Sequence, residues 1–337
     1  MTVSAAVQHD ISVPLRDVPV IIRATKERAE HPIGRIPLSG PADLNDPVIQ
    51  AAPGTSAATT TGLNFPGVGN GDYGFAPNAA PPDTNGVVGS TQYVQWVNES
   101  FAVFDKTTGA IAAGFPKQGN APWAGFSETR CATANDGDPI VQFDKAAKRW
   151  ILTQFVVSSQ PFLQCVAVST TDDATGSYAR YSFQYANFPD YPKLSVWPDA
   201  YYITFNIFGN TFLGGLACAY DRTKMLAGQA ATQICFGPIS SFASPLPSDL
   251  DGSTAPPAGS PAFFVNLQTT TSLNLFKFHA DFGTPGNSTF TGPTVITVPS
   301  FATAATVPQL DTKQKLDALS DRLMYRLAYR NFGDHEA

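Results

Sequence analysis

The chain is poor in charged residues. Only 14% of its 337 residues are charged, and 21 Lys and Arg against 27 Asp and Glu give a formal net charge of −6. An average soluble domain has roughly 25% charged residues. Because proteins that bind nucleic acid rely on a basic surface, this composition argues against a nucleic-acid partner.

Long apolar runs are absent as well. No stretch approaches the roughly 20 apolar residues that cross a bilayer, so we expect no membrane span. The segment after Met1 also lacks the apolar part of a secretory signal. The low Lys content and the four cysteines are nevertheless typical of exported proteins with two disulfides. We therefore expect a secreted or cell-surface protein whose export signal lies upstream of Met1.

Helix-breaking residues are abundant. The 27 Gly and 28 Pro leave little room for long helices. Residues 1–80 show no sustained periodicity, which predicts an irregular N-terminal arm. From residue 81 to residue 337, short runs of Tyr, Phe, Val and Ile recur between Gly, Pro, Asp and Asn clusters, a pattern typical of many short strands. The sequence therefore predicts an all-β domain over residues 81–337.

A repeat of about 50 to 60 residues runs through that domain. Its recurring segment is taken as the inner strand of each unit and occurs five times, at Tyr93–Asn98, Trp150–Phe155, Tyr201–Asn206, Phe263–Leu267 and Met324–Tyr329. A second strand with an acidic turn follows each of the first four, at Asp105, Asp172, Asp221 and Asp281. Repeats of this length with several strands each are typical of β-propeller blades. A large β-sandwich, whose spacing need not repeat, is the alternative.

The fifth repeat is followed by only a few residues, so its blade is incomplete. Either the N-terminal arm completes it, or the chain is a fragment of a larger ring, which is the interpretation we favour. Before it, apolar residues of 308–323 recur at helical spacing, through Leu316, Leu319 and Leu323. This spacing predicts a short helix, with a loop across the propeller face as the alternative.

Several long strings resemble a family of exported bacterial β-propeller proteins without an assigned activity. They are PPDTNGVVG, YVQWVN, FAVFDKTTG, NDGDPIVQFD and YPKLSVWPDAYYITFN, and the resemblance extends from about His9 to the last residue. It implies a propeller that is exported and continues beyond Ala337. A looser resemblance links Thr171–Tyr178 to the Asp-box turn of sialidase-type propellers, which implies a fold and not hydrolysis.

Acidic residues precede the predicted inner strands of three successive repeats. They are Asp83, Asp136, Asp138, Asp190 and Asp199. In a propeller, the innermost strand of each blade begins at the central channel, where polar side chains of several blades can converge. If these carboxylates converge there, Asp83, Asp138 and Asp199 are the candidates for general acid/base catalysis on a glycosidic bond, and Asp190 is a candidate ligand contact. The alternative is that each Asp caps its own turn by bonding its backbone.

The same oxygen-rich segment suits a hard cation. Asp136, Asp138 and Asn135 form the predicted Ca²⁺ site, with Asn85 as a further amide oxygen nearby. The only four His residues of the chain have no metal-ligand spacing, which argues against a histidine-based zinc site. No cofactor other than calcium is expected.

The four tryptophans are candidates for stacking on sugar rings. Trp96 and Trp150 lie inside apolar segments, where packing between blades is the expected role. Trp123 and Trp197 lie in Pro-containing loops and are predicted to be exposed ligand contacts. No G-x-S-x-G motif is present, which argues against a serine hydrolase of that class.

The four cysteines fall into two pairs along the sequence. Cys131 and Cys165 lie on either side of the second recurring segment, and Cys218 and Cys235 are close in sequence around one turn. We predict disulfides within each pair, with four reduced structural cysteines as the alternative.

Two functional hypotheses follow. The first is an exported propeller that recognises an extracellular glycan or protein, with a structural Ca²⁺ as an option. The second is a sialidase-like or arabinanase-like glycoside hydrolase or lyase that uses the channel carboxylates. Since one fold hosts many functions, the sequence leaves open whether the protein is an enzyme.

Overall fold

A computed structural model describes residues 1–20, 62–69, 71–74, 82–303 and 306–337. The all-β class is confirmed in these ranges, where the α-helices are two short ones, α1 (Thr129–Thr133) and α2 (Arg222–Leu226). Single 3₁₀ turns occur at Leu15–Asp17, Asp72–Gly74, Ala121–Trp123 and Pro285–Asn287. Most of the predicted N-terminal arm lies outside the described residues.

Strands follow one another along the whole described chain. The N-terminal segment forms β1 (Thr2–Ala5) and β2 (Gln8–Ile11). Sheet I contains β3 (Asn85–Val88), β4 (Gln92–Val97), β5 (Ser100–Asp105) and β6 (Lys117–Gln118). Sheet II contains β7 (Ile140–Asp144), β8 (Arg149–Val156), β9 (Phe162–Ser169) and β10 (Tyr178–Tyr185).

The second half of the chain repeats this plan. Sheet III contains β11 (Phe188–Val196), β12 (Tyr201–Phe208), β13 (Phe212–Tyr220) and β14 (Thr232–Ile239). Sheet IV contains β15 (Leu246–Leu250), β16 (Ala262–Thr269), β17 (Ser272–His279) and β18 (Thr289–Thr297). The C-terminal segment adds β19 (Thr306–Pro308), β20 (Lys315–Asp317) and β21 (Leu327–Tyr329). Each of sheets I to IV is thus an antiparallel meander of four consecutive strands.

The core lies in layers between successive sheets. Trp96 of sheet I packs in one apolar cluster with Trp150 of sheet II. A second cluster joins sheets II and III, and a third joins sheets III and IV. Because the middle sheets are covered on both faces, their strands are nearly all buried and do not alternate between apolar and polar residues, as β8 shows.

The first strands of successive sheets lie side by side. β3 contacts β7, β7 contacts β11, and β11 contacts β15. Side chains form hydrogen bonds across all three junctions. Asn85 Nδ2 donates to Pro139 O (2.8 Å), Gln142 Nε2 donates to Leu194 O (3.4 Å), and Asp249 Oδ1 accepts from Val196 N (2.9 Å). Sheets I to IV therefore meet along one row of first strands.

The N-terminal segment connects three of the sheets. β1 pairs antiparallel with β14 and β2 with β10, so each extends the outer edge of a sheet. Arg180 of β10 forms a bidentate ion pair with Asp10, with both N–O distances 2.7 Å. Leu15 then enters the core between sheets I and II, and Lys117 Nζ donates to Val18 O (2.6 Å). Residues 2–18 are therefore an ordered part of the fold, whereas the sequence predicted an irregular arm.

Both predicted disulfides are confirmed. Cys131 of α1 is bonded to Cys165 of β9, with 5.9 Å between their Cα atoms. Cys218 and Cys235 are directly opposite one another on β13 and β14, with 4.1 Å between their Cα atoms. Disulfides of this kind are typical of proteins in oxidising compartments.

Three details of the predicted repeat are corrected. The first four recurring segments are β4, β8, β12 and β16, the second strands of their sheets and not the strands by which the sheets meet. The fifth segment contributes β21, which pairs in parallel with the first strand β15. The helix predicted over 308–323 is absent, because the described backbone there forms a hairpin of β19 and β20.

Candidate functional site

Three of the predicted carboxylates lie near one lysine. Asp83 precedes β3, Asp138 precedes β7 and Asp190 lies near the start of β11, so each enters from a different sheet. All three interact electrostatically with Lys193 of β11. We call this group, together with Tyr191, the entrance cluster, because it lies where the row of first strands begins. The sequence had predicted carboxylates at this level, but it had not indicated the lysine.

A left-handed backbone recurs at this entrance. Asp83 (φ 41°), Asp138 (φ 46°) and Tyr191 (φ 56°) all have positive φ, and Ser244, just before β15, has φ 44°. Asp tolerates this conformation better than most residues, whereas Tyr does not. Strained positions of this kind are often found at functional sites. A residue with positive φ therefore recurs before or within the first strand of all four sheets.

Lys193 is held against its own strand. Its Nζ donates to Pro192 O (2.9 Å) and lies 3.5 Å from the centre of the Tyr191 ring. Burial lowers the pKa of the Lys193 ammonium, and the carboxylates of Asp138, Asp83 and Asp190 oppose this shift. Burial also raises the pKa of the Asp83 carboxyl, against the effect of Lys193. Burial thus shifts the pKa values of two groups of the cluster, Lys193 and Asp83, and shifted pKa values are common at functional sites.

Residues of the C-terminal segment pack beside the entrance cluster. The Arg322 guanidinium lies 4.9 Å from the centre of the Tyr191 ring, and its Nε pairs with Asp321 (2.7 Å). Tyr325 donates its hydroxyl to Leu194 O (2.8 Å) on β11. Sequence analysis missed Lys193 and Tyr191, although the string DYPK carries both directly after Asp190.

Asp199 does not join this cluster. Its Oδ2 accepts from the Tyr202 hydroxyl (2.9 Å) and lies 3.7 Å from His279 Nδ1, and burial raises the pKa of its carboxyl. It follows the C-terminal end of β11, whereas Asp190 is at the other end. At about 3.3 Å per residue, the strand between them spans roughly 20 Å, well beyond the about 5 to 10 Å that separates a pair of glycosidase carboxylates. The predicted catalytic trio is therefore not assembled.

The three residues predicted to bind calcium contact different parts of the structure. Asp136 Oδ2 accepts from the backbone N–H groups of Val157 (2.8 Å) and Ser158 (2.9 Å), which follow β8, so it bonds a distant segment and does not cap its own turn. Asn135 donates its amide to Glu99 O (3.0 Å), and Asp138 belongs to the entrance cluster. In the described ranges, no group of three or more His, Cys, Asp or Glu side chains is arranged to hold a metal ion. Calcium binding stays a prediction.

The prediction of exposed Trp123 and Trp197 is wrong. Both are fully buried. Trp123 packs near Trp96 between sheets I and II, and Trp197 packs edge-on against Tyr329 with its indole N–H bonded to Ser260 O. The Pro-containing loops that suggested exposure fold back onto the core, so neither ring face is open to a sugar from solvent.

The acidic turns are structural. Asp173, in the Asp-box-like segment, accepts from Thr175 N (2.9 Å) and from Gln92 Nε2 (2.9 Å) of sheet I. Asp105 and Asp281 bond the backbone of their own turns, and Asp221 caps α2. These carboxylates therefore fix turn geometry, as Asp does in such positions.

Comparison with known proteins identifies no relative. No protein-family model, curated protein or solved structure shows a significant match to this chain. The described residues also include no helix that is both long and apolar enough for a transmembrane segment.

Proposed function

We propose that the chain is an exported β-propeller module that recognises an extracellular glycan or protein at the entrance cluster. The observation that carries the proposal is that Asp83, Asp138 and Asp190 stand at the beginnings of three first strands that lie side by side, where all three carboxylates act on the pKa of Lys193. Groups from distant parts of the sequence that meet at one end of a scaffold are typical of binding sites.

The succession of sheets supports the propeller. Each sheet is a four-stranded meander, each packs on the next through its own apolar layer, and the first strands lie in one row. The parallel addition of β21 to β15 fits this arrangement, since the innermost strands of a propeller run in the same direction.

Export is supported by the two disulfides and the low charge. Lys193, Arg322 and the three carboxylates would offer a ligand both hydrogen-bond donors and acceptors. Such a mixed set suits hydroxyl and amide groups of a glycan or a peptide, and it needs no chemical step.

A glycoside hydrolase is the second candidate, with two of the three catalytic carboxylates that the sequence suggested. Without Asp199, it depends on Asp83 as the proton donor, favoured by the raised pKa of its carboxyl, and on Asp138 as the base or nucleophile. The discriminating result is release of new reducing ends from a glycan that the protein binds.

The test is binding to an oligosaccharide array and to a peptide array, with wild type, Lys193→Met and Asp138→Asn. The matched control is Asp105→Asn, which changes an exposed turn carboxylate in sheet I. Since a hydrogen bond to a charged group contributes about 1.5–3 kcal/mol, each cluster variant should weaken binding at least about tenfold, and the control should not. Equal binding by all four proteins, or no binding to either array, would overturn the proposal.

A further inference from the structure

A second polar site lies in the interior, between sheets I and II. Trp96 and Gln154 are fully buried there, and only 9% of Asn135 is exposed. The indole Nε1 of Trp96, the Oδ1 of Asn135 and the Oε1 of Gln154 have no hydrogen-bond partner among the described residues. A buried polar atom without a hydrogen-bond partner destabilises a fold, so three of them at one point call for a common explanation.

The orientation of the two amides is fixed by their other ends. Asn135 Nδ2 donates to Glu99 O (3.0 Å), and Gln154 Nε2 donates to Ala134 O (3.4 Å). Their oxygens are therefore the atoms left without a partner. Because an indole N–H only donates and an amide oxygen only accepts, the site consists of one donor and two acceptors.

These three atoms meet above Gly119, which directly follows β6. A side-chain carbon at that position would lie 2.7 Å from Asn135 Oδ1, 2.9 Å from Trp96 Nε1 and 3.2 Å from Gln154 Oε1. Contacts below 3.0 Å are too short for a carbon atom, so glycine leaves this space to the polar atoms. Three segments distant in sequence thus present polar groups to one point.

We propose that this site binds a single buried water molecule. Water accepts one hydrogen bond from the Trp96 indole and donates one to each amide oxygen, which satisfies all three groups. Buried waters typically make about three such bonds. A metal cation does not fit the site, because the indole N–H would face it with its positive end.

The water would have a positioning role. It would join β4 of sheet I, β8 of sheet II and the loop that begins at Asn135, which reaches Asp138 of the entrance cluster three residues later. The site stands on its own contacts and does not depend on the proposed ligand recognition.

The first test is a crystal structure of the full chain at a resolution that shows ordered water. We expect a density peak within about 3.2 Å of all three atoms, the range of a hydrogen bond. A direct hydrogen bond from Trp96 to Asn135 or to Gln154, with no peak between them, would overturn the proposal.

The second test uses nuclear magnetic resonance of the wild-type protein and needs no variant. The Trp96 indole proton should show a cross-peak to a long-lived water. Trp150 and Trp197 are internal controls, because their indoles donate to the carbonyls of Asp172 and Ser260. Absence of the Trp96 cross-peak would contradict a bound water.

The third test replaces the glycine. Gly119→Ala should remove the density peak and lower the melting temperature more than Gly286→Ala, whose added carbon would meet no atom within 4 Å. If Gly119→Ala does not fold, the wild-type spectrum still decides the question. A folded Gly119→Ala that keeps the peak would contradict the assignment.

Discussion

Leu15 offers the sharpest test of whether the N-terminal segment belongs to the fold. Its side chain is fully buried in the core between sheets I and II, and its backbone N–H donates to Gly176 O (2.9 Å). Truncation of a buried Leu to Ala costs about 2–5 kcal/mol, a large part of the about 5–15 kcal/mol that stabilises a typical protein. Leu15→Ala should therefore destabilise the whole protein, although the residue lies far in sequence from the sheets it contacts.

The assay is urea unfolding followed by tryptophan fluorescence, since all four tryptophans are fully buried. With a denaturant slope of about 3 kcal/mol per molar urea, a loss of about 3 kcal/mol lowers the midpoint by about 1 M. The matched control is Val13→Ala, because Val13 is 59% exposed in the same segment, and a surface change should stay within about 0.5 kcal/mol. Equal midpoints for the two variants would refute the ordered N-terminal segment.

Three further predictions concern pH, calcium and the disulfides. Burial raises the pKa of Asp249 to about 6 from 3.8, so its contribution to stability is complete below about pH 4 and is lost as the pH rises through 6, a change of about 3 kcal/mol. The free energy of unfolding, measured from pH 4 to 7, should fall by that amount in the wild type but not in Asp249→Asn. Parallel pH profiles of the two proteins would contradict this prediction. If calcium binds at Asp138, Asp138→Ala should lower the melting temperature in calcium buffer but much less in chelator, whereas equal losses would favour a turn role. Replacement of Cys218 and Cys235 by Ala should cost about 3 kcal/mol of unfolding free energy by loop closure, and an unchanged urea midpoint would show that the bond does not stabilise the fold.

Features encoded by residues close in sequence were predictable. The recurring segments at Trp150 and Tyr201 are strands, since aromatic and β-branched residues between turn residues define a strand locally. The pairing of Cys218 with Cys235 was also predictable, because these cysteines are only 17 residues apart, on either side of the short connection that contains α2.

Features that depend on distant contacts were not predictable. β1 and β2 are four residues each and become strands because the open edges of β14 and β10 accept them. Trp197 lies in a polar, Pro-containing loop, yet Tyr329, from the other end of the chain, covers it.

The candidate site also combines features that are visible locally in the sequence with features that depend on distant contacts. The acidic residues before three repeats were visible as a pattern, but their meeting at Lys193 depends on how the sheets stack. Asp199 belongs to the same local string as Asp190 and is separated from it by the length of β11, because an extended strand carries its two ends apart. Proximity in sequence therefore suggested a catalytic group that the fold does not form.

Hydrogen–deuterium exchange of the full chain, with and without the tightest ligand from the arrays, tests the entrance cluster most directly. The account predicts slower exchange on binding in three segments distant in sequence, around Asp83, Asp138 and Lys193, with no change at the Asp105 turn. Protection confined to another surface, with these three segments unchanged, would contradict it.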